Sequence, residues 1–164
     1  MKRVGAVLGS AIFLAIAPGT VAVYVPWMIC HWHVAPPLLG LFSLRMIGAV
    51  MILAGPAVLL DSFARFAFQG LGTPAPTAPT QHLVVTGLYR HVRNPMYVAV
   101  LALILGQGLL FGNVAVLEYG FIVWLMFLGF VVLYEEPRLR RQFGTQYEEY
   151  CIRVPRWIPH IKPK

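Results

Sequence analysis

Charge is what this sequence has least of. Only 12% of its 164 residues are Asp, Glu, Lys or Arg, whereas 59% are hydrophobic. A water-soluble core of this size could not hide so much apolar side chain, because a small domain has a large surface for its volume. The composition therefore excludes a soluble globular fold and predicts one domain, residues 1–164, that is solvated by lipid.

Charge is also absent, or nearly absent, from four long stretches. A helix needs about 20 apolar residues to span the hydrocarbon of a bilayer. The stretches that reach or approach this length are 4–29, 38–60, 96–112 and 114–134. The third and fourth meet at Gly112-Asn113, a turn signal that predicts a tight helical hairpin. The first is too long for the apolar core of a typical signal peptide, so we expect it to be retained as a helix.

The predicted fold class is all-α, an integral membrane protein with four transmembrane helices. After the fourth helix, Leu139, Phe143, Tyr147 and Tyr150 recur at helical spacing. They predict an amphipathic C-terminal helix that lies on the membrane surface. The proline-rich segment 71–80 predicts an extended loop, because proline removes backbone donors and opposes helix formation.

Acidic residues number only 6 against 13 Lys and Arg, and the basic residues are unevenly placed. Twelve of them precede the first stretch, lie between the second and third, or follow the fourth, and Arg45 is the exception. The positive-inside rule then predicts both termini in the cytoplasm. The net charge of +7 indicates attraction to anionic lipid headgroups rather than to nucleic acid, since the basic residues are spread along one membrane face.

Cysteine is scarce as well. Cys30 directly follows the first stretch, and Cys151 lies in the basic C-terminal part. On the predicted topology a bilayer of roughly 30 Å separates them, whereas a disulfide needs Cα atoms within about 7 Å. Both are therefore predicted to be free thiols.

Two polar segments, 81–97 and 135–156, lie on the same predicted side of the membrane. Each adjoins one helix of the predicted hairpin. Residues 94–97 and 134–136 must therefore come close together in space. Topology alone predicts a site that combines arginine and aromatic groups from one segment with two carboxylates from the other.

The adjacent carboxylates Glu135 and Glu136 are costly at the edge of a bilayer unless something compensates their charge. They could form salt bridges to Arg90 or Arg93, or face water. They could instead bind a ligand that carries amino, hydroxyl or sulfonium groups. The residue types leave these alternatives open.

Other residues also have two interpretations. Tyr89 and Tyr97 could belong to an interfacial aromatic belt or flank a planar ring. Arg45, within the second stretch, could pair with Glu118 or contact an anionic group of an acceptor as its substrate residue. His31-Trp32-His33 is too sparse for a metal site and is better explained as an interfacial cap.

Two motifs around the hairpin resemble a known family. "GLYRHVRNPMY" leads into the third stretch, and "EEPRLRRQFGTQYEEYCIRVPRWIP" follows the fourth. In this order they are similar to the isoprenylcysteine carboxyl methyltransferase family, in its bacterial branch, which is related to the phospholipid methyltransferases. The resemblance covers residues 71–159. It implies a multi-pass enzyme of the bacterial cytoplasmic membrane that uses S-adenosylmethionine.

The resemblance also implies a reaction. It favours carboxyl methylation of a lipophilic or membrane-associated acceptor that enters from the bilayer. A phospholipid or amine N-methyltransferase is the alternative enzyme, and a small transport or assembly protein is the non-catalytic alternative. No general base, metal or oligomeric state is implied.

Cofactor-binding residues follow from the resemblance, position by position. In the family, the segment before the Gly-x-Tyr motif, an Arg-His-Pro-x-Tyr motif and a Glu-Glu pair surround the cofactor. The matching positions here are Gln81, His82, Leu83, Val84, Tyr89, Arg93, Asn94, Pro95, Met96, Tyr97, Glu135 and Glu136. Asn94 replaces the histidine. Val131 stands where eukaryotic members have a substrate-binding arginine, so that contact is not reproduced.

Overall fold

The structure is a computed structural model that describes residues 3–68 and 82–159. All regular structure within these residues is helical, which confirms the predicted fold class. The loop predicted at 71–80 lies outside them. The described residues form five helices: α1, Arg3–Cys30; α2, Phe42–Phe68; α3, Pro95–Phe111; α4, Val114–Phe143; and α5, Thr145–Arg153. Two of them contain a π-helical turn, α1 at Thr20–Tyr24 and α4 at Val131–Glu135.

Three helices in the described part of the chain are long and apolar enough to cross a membrane, namely Ala11–Cys30, Phe42–Arg65 and Val114–Phe143. The fourth, α3, is apolar but has only 17 residues, which is about 25 Å at 1.5 Å per residue. It packs along α2 and α4 and also touches α1. Its apolar side chains therefore face protein, and Ile104 at its centre is fully buried. The chain is an integral membrane protein in which long helices surround a short one.

The predicted hairpin between α3 and α4 is confirmed. Gly112 closes α3 with a φ of 69°, a left-handed conformation that glycine adopts without steric cost. Asn113 then caps α4, because its side-chain oxygen accepts a hydrogen bond from the Val116 N–H at 3.1 Å. The turn residues seen in the sequence thus produce the turn through their own backbone and side-chain chemistry.

Small residues let α2 and α3 cross closely. A Cβ at Gly48 would lie 2.6 Å from the carbonyl oxygen of Gly106, and a Cβ at Gly106 would lie 2.9 Å from that of Gly48. Neither position has room for a methyl group. Gly108 lies equally close to Leu117 of α4, since a Cβ there would lie 2.5 Å from that side chain.

The π-helical turn of α1 is tied to the other helices by side-chain hydrogen bonds. A π turn displaces the regular backbone ladder and leaves carbonyl groups available. The Tyr119 hydroxyl of α4 donates to the carbonyl of Val21 at 3.0 Å. The Gln107 amide of α3 donates to the carbonyl of Ala22 at 2.7 Å. The middle of α1 is therefore fixed against both helices of the hairpin.

The second transmembrane helix begins and ends later than predicted. It runs from Phe42 to Phe68 rather than over 38–60, because Leu38–Gly40 forms a separate 3-10 turn. Arg45 consequently lies in the first turn of α2 and not in the membrane interior. Its guanidinium donates to the carbonyl of Ala35 in the preceding connection, so its partner in this structure is not Glu118.

The amphipathic C-terminal helix is interrupted. Gly144, with a φ of 53°, separates the end of α4 from α5, so the predicted single helix is two. The predicted apolar face survives the break, because Tyr147 and Tyr150 are buried together with Leu139 and Phe143 packed against them. The cysteines are free, as predicted: Cys30 is buried and Cys151 is partly exposed.

The crossing of α2 and α3 predicts the effect of two alanine substitutions. Gly48→Ala places a methyl group against backbone atoms of α3, so we expect it to destabilise the protein by about 1–3 kcal/mol. Gly129→Ala is the matched control in α4, because nothing lies within 4 Å of its added Cβ, and helix propensity alone favours it by up to about 1 kcal/mol. Thermal unfolding in detergent measures both, and equal midpoints would contradict the close crossing.

Candidate functional site

One large cavity, of about 630 Å³, lies between α1, α3, α4 and the segments that flank the hairpin. One end is polar and the rest is apolar. The side chains with polar groups on its wall are Tyr89, Arg93, Asn94, Tyr97, Tyr119, Glu135, Glu136, Tyr147 and Tyr150. The volume lies within the range of sites that enclose small organic ligands.

The segment before α3 is held against the end of α2 by Arg65. Its guanidinium binds both carboxylate oxygens of Asp61, at 2.8 and 2.9 Å, and donates to the Thr86 hydroxyl at 3.2 Å. It also lies directly over Gly87, where a Cβ would collide with it. This clamp places Leu83, Val84 and the buried Tyr89 on the cavity wall.

Hydrogen bonds also fasten the C-terminal segment to the same region. The Tyr150 hydroxyl donates to the carbonyl of Tyr89 at 2.7 Å. The backbone N–H of Arg93 donates to the carbonyl of Pro155 at 2.9 Å. The buried Asn94 amide donates to the carbonyl of Arg156 at 3.1 Å, so the residue that departs from the family motif positions the C-terminal backbone.

Glu136 is the centre of a buried ion pair with two arginines. Its carboxylate lies 3.2 Å from Arg93 Nη1 and accepts two hydrogen bonds from Arg156, at 2.7 and 3.0 Å. The hydrogen bonds to this carboxylate raise the pKa of the Arg156 guanidinium. Of the alternatives for Glu136, a salt bridge to Arg93 is therefore the one the structure contains, and Arg156 is a partner that the sequence interpretation missed.

Glu135 has different surroundings from its neighbour. It ends the π-helical turn of α4 and accepts a hydrogen bond from the Tyr97 hydroxyl at 2.8 Å. Among the described residues no basic side chain forms an ion pair with it. The Tyr97 ring packs against Phe127, with centroids 4.7 Å apart, and against Trp157 at 6.4 Å. The cavity thus presents a carboxylate without a cation, next to aromatic faces.

The structure brings together most of the residues that the sequence indicated. Those on the cavity wall are Leu83, Val84, Tyr89, Arg93, Asn94, Met96, Tyr97, Glu135 and Glu136. Pro95 is buried at the start of α3 but is not on the wall, and His82 is exposed. Gln81 lies outside the described residues. Arg45 is bonded to the outer connection and is not on the wall.

The apolar part of the cavity was not predicted. Its wall includes Phe13, Pro18 and Val21 of α1 and a stripe on α4 formed by Tyr119, Val123, Met126, Phe127 and Phe130. The spacing of three and four residues along α4 places these side chains on one helix face. Because the other faces of α4 are also apolar, the sequence does not distinguish this face from them. Only the tertiary arrangement distinguishes this stripe from the lipid-facing side.

The cavity opens sideways between α1 and α4. The Val25–Cys30 part of α1 packs on α4, whereas the Arg3–Gly19 part packs on α2. The two helices therefore diverge toward the polar end of the cavity. Met126 and Phe130 line the gap and keep 67% and 38% of their surface exposed, which places an apolar opening where lipid chains lie.

The buried ion pair predicts a large difference between two glutamates. Glu136→Ala leaves Arg93 and Arg156 without their shared counter-charge, so we expect a loss of about 3–5 kcal/mol of stability. Glu149→Ala is the control, because Glu149 is 71% exposed and pairs with Arg153 only at 3.9 Å, and such pairs contribute at most about 0.5 kcal/mol. Thermal unfolding compares the two, and similar losses would show that the Glu136 pair does not hold the C-terminal segment.

Comparison with known proteins gives one family and several relatives. The model of the phospholipid methyltransferase family matches residues 44–146. Protein-S-isoprenylcysteine O-methyltransferase of Schizosaccharomyces pombe is 40% identical over 82 residues, 49% of this chain and 34% of that protein. Protein-S-isoprenylcysteine O-methyltransferase B of Arabidopsis thaliana is 35% identical over 80 residues, 48% of this chain and 40% of that protein.

A relative of another kind is also similar. The Delta(14)-sterol reductase of Mus musculus is 33% identical over 90 residues, which cover 52% of this chain and 21% of that protein. The chain thus spans well under half the length of each of these relatives. Its own residues, rather than a relative's name, must distinguish between activities.

Proposed function

This chain belongs to the phospholipid methyltransferase family, and we propose that it transfers a methyl group from S-adenosylmethionine to the carboxyl group of a lipophilic acceptor. The observation that carries the proposal is a cavity whose polar end holds Glu135, a carboxylate with no cation beside it in the described residues, and whose other end is an apolar space next to lipid. A polar, cationic donor and an apolar acceptor require these two environments side by side.

The residues at the polar end fit the methyl donor. Glu135 offers a negative charge with no cation beside it in the described chain, which suits a sulfonium or an ammonium group. Tyr97 and Phe127 add aromatic faces that attract cations and stack on planar rings. We infer that Glu135, Tyr97, Tyr89 and Arg93 hold the donor, with Leu83 and Val84 as apolar contacts.

When bound, S-adenosylmethionine supplies a methyl group on positively charged sulfur, and a carboxylate takes that methyl by displacement without releasing a proton. The chain then needs to position the partners rather than to accept a proton. The phenols on the wall support this, because burial raises the pKa of Tyr89, Tyr147 and Tyr150. They stay protonated at neutral pH and do not act as bases.

The acceptor is proposed to enter through the gap between α1 and α4. An apolar chain in that gap would exchange lipid contacts for contacts with Phe13, Met126 and Phe130. Its carboxyl group would then lie near Tyr97, at the junction of the two halves. The positive-inside rule favours the cytoplasmic side for this junction and for both termini, where the donor is available.

An amine acceptor is the second candidate, and two observations favour it. A protonated amine on a phospholipid is cationic, and Glu135 is a carboxylate on the cavity wall that could bind it and take its proton. Val131 also leaves the apolar part of the site without an arginine for a carboxylate. The two candidates therefore differ in whether the reaction releases a proton.

Binding of the donor product tests the proposed site without assuming an acceptor. We expect Glu135→Gln to weaken binding of S-adenosylhomocysteine, which retains the amino group and the adenine ring, by about 10-fold or more, as the loss of a charge-assisted hydrogen bond requires. Glu118→Gln is the control, because Glu118 is exposed near the other end of α4. Isothermal titration in detergent measures both. Wild-type protein that binds no S-adenosylhomocysteine would favour the non-catalytic alternative.

The acceptor class predicts a pH dependence. A carboxylate acceptor is ionised throughout the neutral range, so transfer of labelled methyl into extracted membrane lipids should be independent of pH between about 6 and 8. An amine acceptor would lose about tenfold in rate per unit as pH falls, because it must lose a proton first. The product gives an independent check, since a methyl ester is released by mild base and a methylamine is not.

A further inference from the structure

The deep end of the cavity is closed. The Tyr119 hydroxyl of α4 is bonded to the carbonyl of Val21 in the π turn of α1 at 3.0 Å, and Val123, one turn nearer the polar end, is buried. Beyond this point the Val25–Cys30 part of α1 packs on α4. The helices that diverge at the polar end are thus joined here, and the Tyr119 side chain lies across the space between them.

The distance from the polar end to this closure can be taken from the helix. Val131, the last cavity residue before Glu135 on α4, and Tyr119 are both on the wall. The two positions are twelve residues apart along the helix, which is about 18 Å at 1.5 Å per residue. One leaflet of a bilayer contributes about 15 Å of hydrocarbon, half of the usual 30 Å. The apolar part of the cavity is therefore about as deep as a single lipid chain is long.

We propose that Tyr119 is a specificity-determining residue that sets the maximum length of the acceptor's apolar chain. The proposal rests on the proposed function, because it assigns the apolar half of the same cavity to the acceptor. A chain that reaches Tyr119 fills the space. A longer chain must leave part of itself outside, in contact with lipid, and gains nothing from protein contacts.

Chain length then has a measurable consequence. A variant that opens space beyond Tyr119 gains contacts for chains that are too long for the wild type. Each methylene newly enclosed leaves lipid rather than water, so its gain comes from packing contacts alone, and the affinity ratio should rise by less than the roughly fourfold per methylene that transfer from water would give. For chains short enough to fit both proteins, the ratio of the two affinities should stay constant.

The experiment uses the full chain in lipid nanodiscs. The probes are N-acetyl-S-alkyl cysteinamides of increasing alkyl length, which have no carboxyl group to methylate, so that binding is measured independently of the reaction. At each length the affinity of a variant is divided by that of the wild type, which removes the contribution of partitioning into the lipid. The matching N-acetyl-S-alkyl cysteines are then assayed for methyl transfer.

Four variants separate the role of the ring from other effects. Tyr119→Ala removes the ring and should raise the maximum length of the alkyl chain that the cavity encloses. Val123→Phe fills space before Tyr119 and should lower that maximum length. Tyr119→Phe keeps the ring but loses the hydrogen bond to Val21, so its limit should match the wild type. Ile122→Ala is the control on the same helix, because Ile122 is exposed and is not on the cavity wall.

The outcomes distinguish this inference from the proposed function. A ratio for Tyr119→Ala that rises beyond a certain length, with the opposite change in Val123→Phe, supports the inference even if no cysteine is methylated, in which case the proposed reaction is wrong. Methylation with a flat ratio at every length overturns the inference and leaves the reaction standing. A wild type that binds no cysteinamide of any length overturns the inference as well.

Discussion

The ion pair that Glu136 forms with Arg93 and Arg156 is the interaction on which the polar half of the cavity depends. It joins three parts of the chain, the entrance to α3, the end of α4 and the C-terminal segment. Burying the Glu136 carboxylate without a cation would cost free energy, and so would burying either arginine without that carboxylate. Together with the hydrogen bonds of Asn94 and Tyr150, the pair fixes the C-terminal segment as a wall of the cavity.

The two halves of the cavity have different physical origins. Hydrogen bonds and charge produce the polar half, in segments that lie next to the hairpin in the sequence. The divergence of α1 and α4 produces the apolar half. It follows from the contacts of α1, because the first part of α1 packs on α2, whereas the middle of α1 is bonded to the hairpin through the carbonyls of Val21 and Ala22. The π turn that frees those carbonyls is therefore part of what shapes the cavity.

The sequence predicted the elements that depend on local chemistry. Gly112-Asn113 specified the hairpin, the apolar runs specified the membrane helices, and the topology placed Tyr97 beside Glu135, whose atoms lie 2.8 Å apart. It did not predict which carboxylate would be neutralised, because adjacent glutamates look alike until the π turn at Val131–Glu135 gives each its own surroundings. Arg45 was placed too deep in α2 because the predicted helix began at residue 38, directly after two prolines. The turn at Leu38–Gly40 delays the start of the helix to Phe42.

The shortness of α3 has a consequence for where a reaction at this site would take place. α3 begins at Pro95, whereas α2 continues to Phe68 and α4 to Phe143, and we infer from these bounds that Tyr97 and Glu135 lie in a recess between the ends of the longer helices. A water-soluble molecule would have to descend into this recess, and a lipid would not have to be lifted out of its leaflet to meet it.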